Sequence, residues 1–176
     1  SNQSFKDLFK IQTLPHDFSV IISDITILFT DLKGSTELYD SVGDVSAYNL
    51  VQQHFNLLKD ATRKNGGAIV KTIGDAVMAS FSNPEDGLHA AFDMIDRINQ
   101  MNSEKKSNDP EILIKVGLHC GTALTVTANE ALDYFGQTVN IAARVQGLAQ
   151  AGEIWISDSL LKNNEIKNIL ELNNRE

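Results

Sequence analysis

Two acids stand where a carboxylate is costly. Asp31 closes the apolar run of "ILFTDLKGST", residues 27–36, and Asp75 lies in "KTIGDAVMASF", between two short strand-forming segments. Two carboxylates brought close together repel, and one takes up a proton unless a cation lies between them. A hard divalent cation with oxygen ligands meets that need, and Mg²⁺ commonly takes one or two carboxylates together with substrate phosphates. The Gly34-Ser35-Thr36 after Asp31 offers backbone N–H groups at the start of a helical turn, where phosphate oxygens are stabilised. Taken singly, Asp31 reads as a helix cap and Asp75 as a turn residue. The metal reading rests on the two meeting. A second pair, Asn140 and Arg144, is four residues apart in a helical stretch and so shares one face. On spacing alone, these two read as solvated residues.

The elements around the acids decide whether they meet. "SVIISDITILFT" (19–30) predicts one or two strands. Gly43 to Asn65 predicts a helix with Tyr48, Val51, Phe55 and Leu58 in a buried stripe, ended by Gly66-Gly67. "AIVKT" and "AVMASF" predict two strands joined in a tight hairpin at Ile73-Gly74-Asp75. Pro84 opens a second helix with Leu88, Phe92, Ile95 and Ile98 on one side, and 103–110 is a polar loop. "ILIKVGLHC" (112–120) predicts a strand, with another through "ALTVTA". A helix follows from about Gln137 to Gln150, burying Val139, Ala142, Ala143 and Leu148; then comes the strand "EIWIS", and a polar, partly helical tail over 158–176. Residues 1–16 form a lead-in.

Strand, helix, strand, strand, helix, strand is the ferredoxin-like split βαβ order, an α+β class, here with added C-terminal elements. The crossover helix makes the first two strands parallel. The hairpin then returns the third strand beside the first, antiparallel to it. The end of strand one and the start of strand three share an edge, so Asp31 and Asp75, 44 residues apart in the chain, are brought together.

Composition narrows the partners. The 176 residues carry 23 acids against 15 bases, a net charge of −8, which argues against nucleic acid or an anionic membrane as the main partner. With 42% hydrophobic residues the chain can build a core, and no apolar run approaches the ~20 residues of a membrane span. The single cysteine, Cys120, forms no disulfide framework and fits a reducing compartment, so the expected location is cytoplasmic. His119 and Cys120 read as packed strand residues and Trp155 as core.

"FTDLKGST", "KTIGDAVMASF", "VGLHCG" and "DYFGQTVNIAARV" stand in an order that resembles the class III adenylyl and guanylyl cyclase catalytic domain. The resemblance runs from about Ile25 to Ser157, and it implies the nucleotide cyclase fold over residues 17–176. It implies two Mg²⁺ or Mn²⁺ ions held by Asp31 and Asp75, with the backbone carbonyl of Leu32. Lys33, Gly34, Ser35 and Thr36 would wrap the triphosphate. Lys71 and Asp133 fall at the purine-selecting positions, and a Lys donor with an Asp acceptor matches adenine. Asn140 would position the ribose and Arg144 would face the α-phosphate. The implied reaction is ATP to 3′,5′-cyclic AMP and pyrophosphate, in a homodimer whose sites lie at the subunit interface, with a regulatory domain upstream. The alternatives are a guanylyl cyclase and a catalytically silent module that binds nucleotide or dimerises. A diguanylate cyclase is set aside because its Gly-Gly-acid-acid-Phe signature is absent. Two departures from the family stand out. The "TALTVTANEAL" connection is short, and the chain stops at "ILELNNRE", before the further strands and phosphate-holding lysine that members usually carry. A truncated domain is the expectation this raises.

Overall fold

The computed structural model describes residues 19–106 and 108–173; the expected lead-in lies outside them. The elements are β1 (Ser19–Leu32), α1 (Ser35–Val42), α2 (Asp44–Lys64), β2 (Ala68–Ile73), β3 (Ala76–Phe81) and α3 (Pro84–Glu104). They continue as β4 (Ile114–Ala128), β5 (Ala131–Phe135), α4 (Gln137–Leu148), β6 (Ile154–Ile156), α5 (Asp158–Leu161) and α6 (Asn164–Leu172). One sheet runs β2-β3-β1-β4-β5, with β6 parallel to β4. Its first four strands have the split βαβ order expected from the sequence. β1 pairs antiparallel with both β3 and β4, through Thr30↔Val77 and Asp31↔Lys115.

Alternation along β1 sends side chains into two cores. Leu28 and Leu32 join Leu58, Leu88, Met94, Ile114, Val116 and Leu118 beneath α2 and α3. Ile27 and Phe29 join Met78, Ala123, Tyr134 and Ala142 on the face covered by α4. The face under α2 and α3 is the larger. Leu160 of α5 and Ile166 of α6 are fully buried in it, so the polar tail expected from the sequence is partly core.

Several boundaries differ from expectation. β1 and β4 are single long strands, because each keeps one unbroken register with the other from Ser19↔Thr127 to Leu32↔Ile114. β4 turns into β5 through Asn129 and Glu130, both at positive φ, as a two-residue hairpin requires. The short connection noted in the sequence is therefore a plain hairpin. On α2 the buried stripe is Ala47, Val51, His54, Leu58, Ala61 and Thr62. Tyr48 lies one step round the helix from Ala47 and is 56% exposed, and Phe55 is half-buried. On α4, Thr138 and Ala142 are buried, while Ala143 and Leu148 face solvent. Trp155 is not core: it is 41% exposed, and its Nε1 donates to Glu153 Oε2 at 2.7 Å.

Candidate active site

β1 delivers Asp31 to the sheet edge where the β2–β3 turn delivers Asp75. The carboxyls interact. Burial pushes the Asp31 pKa up, and the charge of Asp75 and a hydrogen bond with it push the same way. The Leu32 backbone and Lys115 oppose the rise. Asp75 Oδ2 is buried and has no hydrogen-bond partner. Among the described residues no third His, Cys, Asp or Glu joins the pair in a metal-binding group. Two carboxylates, one raised by burial and by its neighbour's charge and one with an orphaned oxygen, fit a divalent cation that completes its shell from non-protein oxygens.

The chain then turns through Gly34, whose φ of +67° favours glycine, into α1. No side chain caps α1, so the first-turn N–H groups have no helical partner and point outward. Lys33 spends its own N–H on Leu113 O at 2.8 Å, which ties the turn to the residue just before β4. A cleft of about 340 Å³ opens there, lined by Lys33, Lys115, Ala149, Gln150 and Ala151. Both charged lining residues are lysines. Lys115, directly opposite Asp31 in the β1–β4 register, was not singled out from the sequence. Its signal was a lysine between Ile114 and Val116, both buried, in a strand. Alternation turns it to the other face, but only the register shows that Asp31 is its neighbour.

Lys71 and Asp133 come together although they stand on the two outermost strands of the sheet path. Lys71 Nζ lies 2.7 Å from Asp133 Oδ2 and 5.8 Å from the centre of the Phe135 ring. Asp133 Oδ1 accepts the Tyr134 N–H at 2.8 Å. A β-bulge makes this possible. The β2–β3 register shifts between Ile69 and Lys71, so Lys71 rather than Val70 pairs with Met78.

Asn140 and Arg144 lie on the exposed side of α4, away from β4. Glycines in β4 hold the helix there. A Cβ on Gly117 would stand 2.2 Å from Gln146 N, and one on Gly121 would stand 2.8 Å from Thr138 Oγ1. Thr138 Oγ1 donates to Thr122 O at 2.6 Å, which fixes the start of α4. Among the described residues no ion pair or hydrogen bond links Asp31 or Asp75 to Lys71, Asp133, Asn140 or Arg144. Within the described residues Asp31 is thus linked to Asp75 and Lys115, and Lys71 to Asp133, while Asn140 and Arg144 stand on the exposed side of α4.

Residues 20–176 match the family described as the adenylate and guanylate cyclase catalytic domain. The chain belongs to that family. The cyclase domain is 33% identical over 152 residues to an adenylate cyclase of Anabaena cylindrica, covering 79% of this chain and 30% of that enzyme. It spans about a third or less of the length of the first curated relatives that it matches, such as 21% of adenylate cyclase 1 of Rhizobium meliloti, at 28% identity over 71% of this chain. The adenylyl cyclase CyaB from P. aeruginosa superimposes with a TM-score of 0.66 at 25% identity, covering 82% of this chain and 81% of that one. The guanylyl cyclase Cya2 reaches 0.72 at 20% identity, covering 81% and 78%, a likeness of fold. The α+β architecture is that of the nucleotide cyclase fold. The family's class of chemistry is cyclic nucleotide formation, a lyase reaction. No helix among the described residues is long and apolar enough to cross a membrane.

Proposed function

We propose that the domain converts ATP, in preference to GTP, into 3′,5′-cyclic AMP and pyrophosphate, in sites shared between two copies of the chain. The observation that carries this reading is the Asp31–Asp75 pair, with its mutual repulsion and its orphaned oxygen, beside a turn rich in free N–H groups. Asp31, Asp75 and the Leu32 carbonyl would hold Mg²⁺ or Mn²⁺. When bound, two such ions lower the pKa of the ribose 3′-hydroxyl and offset the charge of the departing phosphates.

The remaining roles belong to the chain's own groups. The N–H groups of Gly34, Ser35 and Thr36 hold phosphate oxygens, as helix N-termini do. Lys33 and Lys115 add positive charge toward the terminal phosphates. Lys71 donates to adenine N1 and Asp133 accepts from the N6 amino group, while guanine presents the reverse pattern. Asn140 orients the ribose. Arg144 neutralises charge on the α-phosphoryl oxygens as the hydroxyl attacks in line, where positioning and electrostatics supply most of the catalysis. In the two-fold arrangement one copy offers acids and lysines and the other offers Lys71, Asp133, Asn140 and Arg144, and the exposure of Asn140 and Arg144 leaves them open to a second copy.

The test is turnover of ATP and of GTP by the purified protein with Mn²⁺, the cyclic product identified by mass. Cyclic AMP from ATP supports the reading. Equal turnover of both nucleotides overturns the substrate assignment. Tight nucleotide binding with no product, in a homodimer with bound Mn²⁺, marks a silent module instead.

A further inference from the structure

His54 is fully buried on α2, in a stripe whose other buried residues are Ala47, Val51, Leu58, Ala61 and Thr62, the threonine with its hydroxyl bonded to Leu58 O. Its Nδ1 lies 3.2 Å from Val51 O. A carbonyl only accepts, so Nδ1 carries the proton of that bond, and the neutral ring presents a lone pair at Nε2. Nε2 is buried and has no hydrogen-bond partner. A buried, unpartnered polar atom costs about 1–3 kcal/mol, and an apolar residue in this stripe would avoid that cost.

Asp75 supplies a reason for the histidine. Burial lowers the His54 pKa, which keeps the ring neutral, while the Val51 carbonyl and the charge of Asp75 act against the fall. That carboxylate is the charged group felt at the ring. Its own Oδ2 is likewise buried without a partner. α2 packs against β2 and β3, the two strands that the Asp75 turn joins. Two acceptors cannot satisfy each other, but a single water can donate an O–H to each, as buried waters do when they bridge polar groups.

We propose that His54 is a positioning residue for Asp75, holding its carboxylate through a bridging water in the orientation in which it meets a divalent cation. This rests on the metal reading of the Asp31–Asp75 pair. Groups that orient metal ligands from behind typically change metal affinity 10–100-fold when removed.

The experiment measures Mn²⁺ binding by electron paramagnetic resonance, in the presence of 3′-deoxy-ATP, which supplies phosphates but cannot cyclise. Four proteins are compared: wild type, His54→Leu, His54→Gln and Asp75→Asn. His54→Leu keeps an apolar stripe on α2 and melts at or above the wild-type temperature, yet it binds Mn²⁺ about 10-fold more weakly. His54→Gln offers an N–H for Val51 O and an oxygen for the water, and it recovers most of that loss. His54→Met carries the same test if the leucine variant does not fold. If Asp75→Asn loses Mn²⁺ while the leucine or methionine variant binds it as wild type does, His54 is a packing residue and the inference is overturned. If Asp75→Asn itself keeps wild-type Mn²⁺ affinity, the metal reading falls and this inference falls with it.

Discussion

Lys71→Met separates the two roles open to the Lys71–Asp133 pair. Methionine keeps the length of the side chain and removes its charge. The side chains are 40% and 32% exposed, so the ion pair lies in solvent-screened surroundings despite its 2.7 Å contact. Exposed pairs of this kind contribute about 0–1 kcal/mol. For a domain of this size, 1 kcal/mol shifts the melting temperature by about 2–4 °C, so the variant melts within that range of wild type. The effect on substrate selection is larger. A hydrogen bond from a charged donor is worth about 1.5–3 kcal/mol, and each 1.4 kcal/mol is tenfold. Loss of the bond to adenine N1 lowers kcat/KM for ATP about 10- to 150-fold. GTP has an N1–H there and gains nothing from a lysine, so its kcat/KM changes little. The ATP-to-GTP ratio of wild type, at least ~10 on the same reasoning, falls toward or below one. The assay is initial-rate kinetics on both nucleotides with a melting curve. A drop of more than ~10 °C with the ratio intact would refute the reasoning, because the pair would then be a strut between β2 and β5 and not a reader of the base.

Asp31→Asn abolishes turnover and changes stability with a definite sign. The folded pKa of Asp31 is raised, so its favourable contribution is fully present below the unfolded carboxyl range and is lost as pH rises through the folded value. Without metal, the asparagine variant is therefore more stable than wild type at pH 7, by about 1 kcal/mol for screened like charges, and the gap closes as the pH is lowered to ~4. Melting curves with and without Mn²⁺ check this, and a less stable variant in metal-free buffer at pH 7 contradicts it. Gly117→Ala places a Cβ 2.2 Å from the Gln146 backbone, so α4 must shift; a loss of about 1–3 kcal/mol with a kcat about 100-fold lower is expected. Unchanged kcat in a destabilised Gly117→Ala protein would mean that the placement of Asn140 and Arg144 is not critical. Asp31→Ala and Arg144→Ala are each inactive as homodimers, but after subunit exchange half the dimers are mixed with one intact site each, so activity recovers to ~25% of wild type. Confirmed exchange without recovery removes the shared-site arrangement.

What the sequence disclosed, and what it concealed, follows from how each contact is made. The meeting of Asp31 and Asp75 was legible because it needs only topology: a crossover helix, then a hairpin, sets two strand ends on one edge whatever the register. Asn140 and Arg144 were legible as a pair because four residues of helix put them on one face. Lys115 was not, because its place beside Asp31 depends on a strand register that no local pattern specifies. The Lys71–Asp133 contact needs a bulge and a curled sheet, and a single skipped residue decides which face Lys71 takes. The family resemblance assigned those two residues a common task, but only the fold brings them within 2.7 Å. His54 was passed over for a different reason. The helical stripe was counted through Tyr48, Val51, Phe55 and Leu58, and the true stripe through Ala47, Val51, His54, Leu58 and Ala61 fits the same period. Apolar residue types drew the reading to the wrong neighbour. A polar side chain at a position that helical period alone would bury is the signal that was available, and it points to the residues that a core keeps at a cost to its own stability. The same logic applies to Asp31, where burial and then the repulsion from Asp75 disfavour the ionised carboxyl, and with it the metal-free fold, at neutral pH. Both departures from good packing, on α2 and at the end of β1, involve groups that feel the charge of Asp75, where the chemistry is proposed to occur.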